Sequence, residues 1–173
     1  MGTKRVGLAR TQALIENLKR ELSIGGTEKN RNFMANQPQM QTYVYKWEHG
    51  VDLSTVAEHT LADPGGNAMS LPSGFVVTGG WVEVITAVTS GGSLKIIVGT
   101  EGTSDDPNGF MTSVAKASLT ANSVHPFDGA LAHNTTAKGT RLTADDPVSL
   151  SIETAAATAG KLYVYVYGYQ SLG

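Results

Sequence analysis

Residues 81–89 (WVEVITAVT) and 94–100 (LKIIVGT) are two runs of β-branched and apolar residues separated by Ser90-Gly91-Gly92-Ser93. Such runs suit the pleated, half-buried surface of a sheet, and a short glycine-containing spacer between them is a turn signal. The pattern predicts a β-hairpin, and the chain behind residue 40 continues in kind. Residues 42–48 (TYVYKWE) alternate, with Tyr43, Tyr45 and Trp47 on one face. Asp63-Pro64-Gly65-Gly66-Asn67 is a turn in which proline fixes φ and glycine supplies positive φ. Leu71-Pro72-Ser73-Gly74 opens a run at 75–78 that Gly79-Gly80 interrupts, the place for a bulge or corner. A long irregular stretch is expected over 101–139, and strands over 141–143, 148–153 and 161–169 complete the set. Short strands at near-regular spacing, with turn residues between them, predict a mainly β fold: an antiparallel β-sandwich rather than a parallel α/β sheet. No internal repeat and no low-complexity tract interrupts the pattern.

The front of the chain differs. Leu8, Thr11, Ile15, Leu18 and Leu22 recur at steps of three and four, the spacing of one helix face, and Gly25-Gly26 suits the C-terminal cap. This predicts an amphipathic helix over about 11–24. Residues 1–31 carry a net +4 and the remainder −6, which together give the −2 of the chain. Residues 27–40, polar and aperiodic with Pro38, read as a linker or extended arm. The chain therefore divides into a basic N-terminal arm, 1–40, and a β-sandwich domain, 41–173. A lone helix of this length is marginal in water and seeks a surface: its own body, a symmetry mate or another protein. A basic arm on an acidic body is the layout of a protein that attaches to something.

Signals for chemistry are sparse. Cysteine is absent, which removes disulfides, thiolate metal sites and a cysteine nucleophile. His49, His59, His125 and His133 have no metal-ligand spacing. Asp105-Asp106 and Asp145-Asp146 each precede a proline and read as turn chemistry; Glu101 to Asp105 is too sparse for a calcium loop. GxGxxG, GxxxxGK[ST] and GxSxG are missing, so neither a phosphate cradle nor a nucleophile elbow is indicated. Catalytic, cofactor and metal residues are accordingly expected to be none. Glu16, Lys19, Arg20 and Glu21 break any secretory apolar stretch, and no run approaches the ~20 apolar residues of a membrane span. Glutamates interrupt the basic arm and no aromatic is interleaved in its helix, so nucleic acid is not the expected partner. Tyr163, Tyr165 and Tyr167 alternate along one face of the last strand, a ladder suited to packing against a neighbouring subunit or to stacking a sugar.

The opening GTKRVGLARTQALIENLKREL, the central LPSGFVVTGGWVEVITAVTSGGSLKIIVGTEGTSDD and the closing TAGKLYVYVYGY cover about half of the chain. Together they resemble virion structural proteins of tailed bacteriophages, of the capsid decoration (cement) kind. The resemblance implies a jelly-roll-type β-sandwich, a homotrimer, and a non-enzymatic role without cofactors. It further implies a place on the outer capsid lattice, bound to the major capsid (coat) protein of a virion assembled in the host cytoplasm. On that reading the arm is the fastening element, through Lys4, Arg5, Leu8, Arg10, Ile15, Leu18, Lys19, Arg20 and Leu22, and Tyr163, Tyr165 and Tyr167 form the oligomer interface. Two rivals remain: a carbohydrate- or receptor-binding module of a head fibre or tail, and a small metal-dependent hydrolase on a cupin-like barrel.

Overall fold

The computed structural model describes residues 40–102, 105–131 and 141–171, all within the compact unit that begins at Gln39. Among these residues nine strands form two antiparallel sheets. In chain order they are β1 (Met40–Glu48), β2 (Ala57–Thr60), β3 (Ser70–Leu71), β4 (Phe75–Thr89), β5 (Lys95–Thr100), β6 (Asp106–Ala115), β7 (Val124–Pro126), β8 (Asp146–Glu153) and β9 (Ala159–Gln170). One sheet runs β1-β9-β4-β7. The other runs β2-β8-β5-β6, with β3 pairing a further part of β8. Strands that follow one another mostly belong to opposite sheets, and the first and last lie side by side. This is jelly-roll connectivity, two Greek keys closed into a sandwich. The β-sandwich expected from the alternation is present.

Alternation supplies the core. On β9, Leu162, Val164 and Val166 are fully buried while the residues between them face outward. At about 1.5–3 kcal/mol for each buried aliphatic side chain, these three stabilise the sandwich by roughly 5–9 kcal/mol before chain entropy is counted. Tyr45 and Trp47 of β1, Phe75 and Val82 of β4, and Val98 and Leu150 of the facing sheet meet them in the same layer. The alternation of β4 changes phase midway: Phe75 and Val77 point inward, and then so do Val82 and Val84. The cause is a bulge, since Val77 pairs with Gly168 but Gly79 with Tyr167, leaving Thr78 as the extra residue. A one-residue insertion flips every later side chain to the other face. The bulge expected at Gly79-Gly80 exists, and it turns Trp81 away from the core.

Three expectations fail. Ser90–Ser93 is not a hairpin: β4 pairs with β9 and β7, β5 with β8 and β6, so the loop carries the chain from one sheet to the other. Side-chain hydrogen bonds hold this loop and tie it to a second crossing loop. Ser90 Oγ donates to the Ala156 carbonyl at 2.6 Å, and Lys116 Nζ donates to the carbonyls of Ser90 and Gly92 at 2.9 and 2.8 Å. The stretch 101–139 is not uniformly irregular. It holds β6, a 3-10 turn at Lys116–Ser118 and β7, and the genuine hairpin of this region joins β5 to β6. Turn-forming residues disguised it, because Pro107, Asn108 and Gly109 lie inside β6. Gly99 permits that pairing, since a Cβ there would stand 1.9 Å from the Asp106 carbonyl. Residues 141–143 form no strand; Arg141 makes a single bridge to Val76, and Leu142 exchanges backbone hydrogen bonds with Phe75 and Gly74. The aspartate pairs are also more than turns. Asp146 opens β8 fully buried, and Asp145 Oδ1 accepts the Ser73 N–H at 2.7 Å.

Candidate interaction face

The outer face of the β1-β9-β4-β7 sheet follows from the register. Directly opposed residues form rows across it: Thr42, Tyr167 and Gly79; Val44, Tyr165, Trp81 and Pro126; Lys46, Tyr163, Glu83 and Val124. Tyr163, Tyr165 and Tyr167 therefore share one outward face, as the alternation predicts, and each is half-buried. Trp81 joins them. Its indole stacks on Tyr165 with centroids 5.0 Å apart and planes 21° off parallel, and lies 5.8 Å from Tyr167. Tyr163 tilts against Tyr165 at 6.4 Å. The Tyr167 ring lies across Gly79, where a Cβ would come within 2.4 Å of its hydroxyl. The glycine of the bulge thus both turns Trp81 outward and gives the tyrosine its bed.

Charge frames this face at one end. Lys161 Nζ sits 3.1 Å from Glu48 Oε2 and 5.9 Å from the centroid of Tyr163, and Lys46 approaches the same carboxylate at 3.7 Å. The hydrogen bond from Lys161 holds the Glu48 carboxyl below its usual range, and the same bond raises the Lys161 ammonium. Burial and then a hydrogen bond with Glu83 push the Tyr165 hydroxyl up. On the far side β7 adds Val124, 56% exposed, and Ile85 of β4 is 40% exposed. An aromatic and aliphatic surface with a charged rim has the chemistry of a protein contact, because tyrosine and tryptophan bring large apolar area with a polar tip.

A second apolar feature lies on the β1–β2 loop, where Val51, Leu53 and Val56 are more than half exposed. Val51 and Leu53 line a cleft of about 450 Å³ together with Trp47, Asp52, Glu58, His59 and Thr60. Trp47 Nε1 donates to the Leu53 carbonyl at 2.9 Å and holds this loop on the sheet.

Of the interface residues expected from sequence, the three tyrosines come together. Lys4, Arg5, Leu8, Arg10, Ile15, Leu18, Lys19, Arg20 and Leu22 lie outside the described residues. Trp81 and Val124 were missed. Period two along 81–89 aligns Trp81 with Glu83 and Ile85, but nothing in the sequence says that β9 is the neighbour of β4. His49, His59 and His125 sit on different elements; among the described residues no group of three or more histidine, aspartate or glutamate side chains gathers to hold a metal ion. Among the same residues no helix is long and apolar enough to cross a membrane.

No family model matches the chain, and no curated protein matches it. Solved structures do. A chain of the cyanophage Pam1 capsid asymmetric unit superposes with a TM-score of 0.53 at 18% identity, over 79% of this chain and 88% of that one. A chain of the acid-stable capsid of Helicobacter pylori bacteriophage KHP30 matches with a TM-score of 0.48 at 18% identity, over 77% and 93%. A chain of the capsid of Ralstonia phage GP4 gives 0.47 at 15% identity, over 80% and 87%. At these identities the likeness is one of fold; of the three, the Pam1 chain alone exceeds a TM-score of 0.5, and the jelly-roll sandwich is the fold it shares.

Proposed function

We propose that this chain is a non-enzymatic structural component of a phage virion, which seats on the outer capsid lattice, binds the major capsid protein and stabilises it. The observation that carries the reading is the jelly-roll body, which shares its fold over most of both lengths with a chain of the Pam1 capsid asymmetric unit. The surface chemistry supports it, because the most developed feature of the described body is an outward aromatic face suited to a protein neighbour. The mechanism is physical. A capsid opens by separating its subunits, and a protein bridging their seams raises the barrier to that separation. The basic arm fastens the protein by ordering on contact, which spreads few residues over a wide surface. Three copies joined through Tyr163, Tyr165 and Tyr167 convert three weak arm contacts into one strong attachment.

Pelleting tests this. Purified chain is mixed with capsids of the phage that carries its coding sequence, after their own copies have been stripped. Saturable co-sedimentation, together with a higher temperature of capsid opening, is expected. A chain left in the supernatant, or one that pellets without raising the opening temperature, overturns the cement role. The Trp81–Tyr165 stack also offers a sugar a flat partner. Glycan-array binding that disappears in Trp81→Ala would move the assignment to a receptor-binding module of a fibre or tail.

A further inference from the structure

The two sheets have four edges, and three of them are guarded. β7 is three residues long and ends in Pro126; β2 is four residues long and carries Glu58. β6 contains Pro107 and is covered along its outer side: Leu131 N–H donates to the Gly109 carbonyl at 2.7 Å, Gly129 N–H to Phe110 at 2.9 Å, and Asp128 accepts the Thr112 N–H at 2.7 Å. Short length, charge, proline and cover are the devices that keep strand edges from pairing with other chains.

β1 is different. Its outward backbone groups belong to alternate residues, as shown by Lys46 N–H, which donates to the Ala62 carbonyl at 2.9 Å, and Glu48 N–H, which donates to Asp52 Oδ2 at 2.6 Å. The same alternation turns the N–H and C=O of Thr42 and Val44 away from β9. Among the described residues nothing pairs with these groups. Residues 40–45 (MQTYVY) contain no charge and no proline, and β1 keeps an unbroken register with β9. Among the described residues, 40–44 are thus an unpaired, uncharged edge of roughly 17 Å at about 3.4 Å per residue.

We infer that this edge pairs antiparallel with the same edge of a second copy of the chain, about a two-fold axis at Thr42. The partner is argued from the inventory of edges. A head-to-tail pairing needs a second, different open edge, and the other three are guarded, whereas β1 is complementary to itself. Centring the axis on Thr42 overlaps the whole open stretch with its copy and pairs outward groups with outward groups. Two four-stranded sheets then join into one of eight, and the rows through Tyr165 and Tyr167 continue across the axis onto the second copy. The inference is independent of any place in a virion.

Cysteine scanning tests it cleanly, because the full chain has no cysteine of its own. A hydrogen-bonded antiparallel pair brings Cα atoms to about 5.5 Å, within the span of a disulfide. Under mild oxidation the Thr42→Cys chain should form a linked pair far faster than Ala121→Cys, whose position is exposed but on a distant loop. Thr42→Pro and Thr42→Lys should each halve the mass seen by sedimentation at tens of micromolar, from a pair to one chain or, where the three-fold tyrosine contact also forms, from six copies to three, and leave the circular dichroism melt in place, since neither removes a hydrogen bond to β9. Equal cross-linking rates at 42 and 121, or an unchanged mass in both Thr42 variants, overturns the pairing.

Discussion

Tyr45→Phe should stabilise the body. Tyr45 lies in the core with no measurable exposure, and its hydroxyl has no hydrogen-bond partner. Leaving a buried polar group unpaired costs about 1–3 kcal/mol. Phenylalanine keeps the ring and the packing while removing that group. The space left is about one oxygen atom, worth a few tenths of a kcal/mol at roughly 24 cal/mol per Å³. The net gain is about 1–2 kcal/mol. In a body of this size unfolding entropy converts 1 kcal/mol to about 3–4 °C, so the melt should rise by roughly 3–8 °C in differential scanning calorimetry. Alkaline titration gives a second readout. Burial, and then the neighbouring Tyr43, push the Tyr45 hydroxyl far above its ordinary value. Above pH about 10 the unfolded phenol ionises while the folded one keeps its proton, so stability falls with rising pH, by about 1.4 kcal/mol per pH unit per tyrosine. Tyr45→Phe should remove one tyrosine's share of that slope and leave those of Tyr43 and Tyr165, which are raised in the same direction. An unchanged or lower melting temperature, with the alkaline slope intact, would show that the hydroxyl is satisfied and refute the reasoning.

Gly99→Ala should abolish the cooperative melt or lower it by more than 10 °C, because the obstacle at 1.9 Å is the backbone of β6 and not a movable side chain. A melt within 2 °C of the parent refutes it. Residues 41–173 expressed without the arm should fold with a β-type circular dichroism spectrum and one cooperative transition, since both tryptophans and the whole described core lie there; a helix-dominated spectrum counts against this. Leu18→Asp in the full chain should abolish co-sedimentation with capsids by burying an unpaired charge, a loss of several kcal/mol, without changing the melt of the body; normal decoration would move the anchor from the arm to the sandwich. Lys4→Glu with Arg5→Glu should weaken pelleting mainly at low salt, where exposed charges are least screened; equal weakening at 0.5 M salt contradicts a surface contact.

Local pattern was legible; pairing was not. Period two put Tyr45 and Trp47 on one face of β1 and Tyr163, Tyr165 and Tyr167 on one face of β9, and Gly79-Gly80 marked the bulge, because both follow from the pleat of a single strand. Ser90-Gly91-Gly92-Ser93 misled because a short polar loop between two β runs serves a hairpin and a crossing between sheets equally well. What separates the two is the identity of β9 and β8 as the neighbours of β4 and β5, pairings that run from Thr89 with Ala159 to Phe75 with Gln170 and from Thr100 with Val148 to Lys95 with Glu153. β6 was hidden by Pro107, Asn108 and Gly109, tolerated because that edge bonds to residues 128–131 and Gly109 makes room for Leu131. Trp81 escaped notice for a related reason: the bulge reverses its face, and its partner Tyr165 is supplied by a strand far away.

β9, the last of these nine strands to be made, lies in the middle of its sheet, between β1 and β4. A ribosome that has completed everything up to Thr158 therefore holds two strands with no partner between them, and a core lacking Leu162, Val164 and Val166. In the folded sheet β1 and β4 are joined only through β9, with which each pairs. The body must close after its own translation, in a single step of high contact order that sets a slow folding rate. Until then each nascent chain presents open edges to its neighbours on the same message. A chain stopped before residue 159 lacks the strand that joins β1 to β4, and should fail to show the cooperative melt of the whole body.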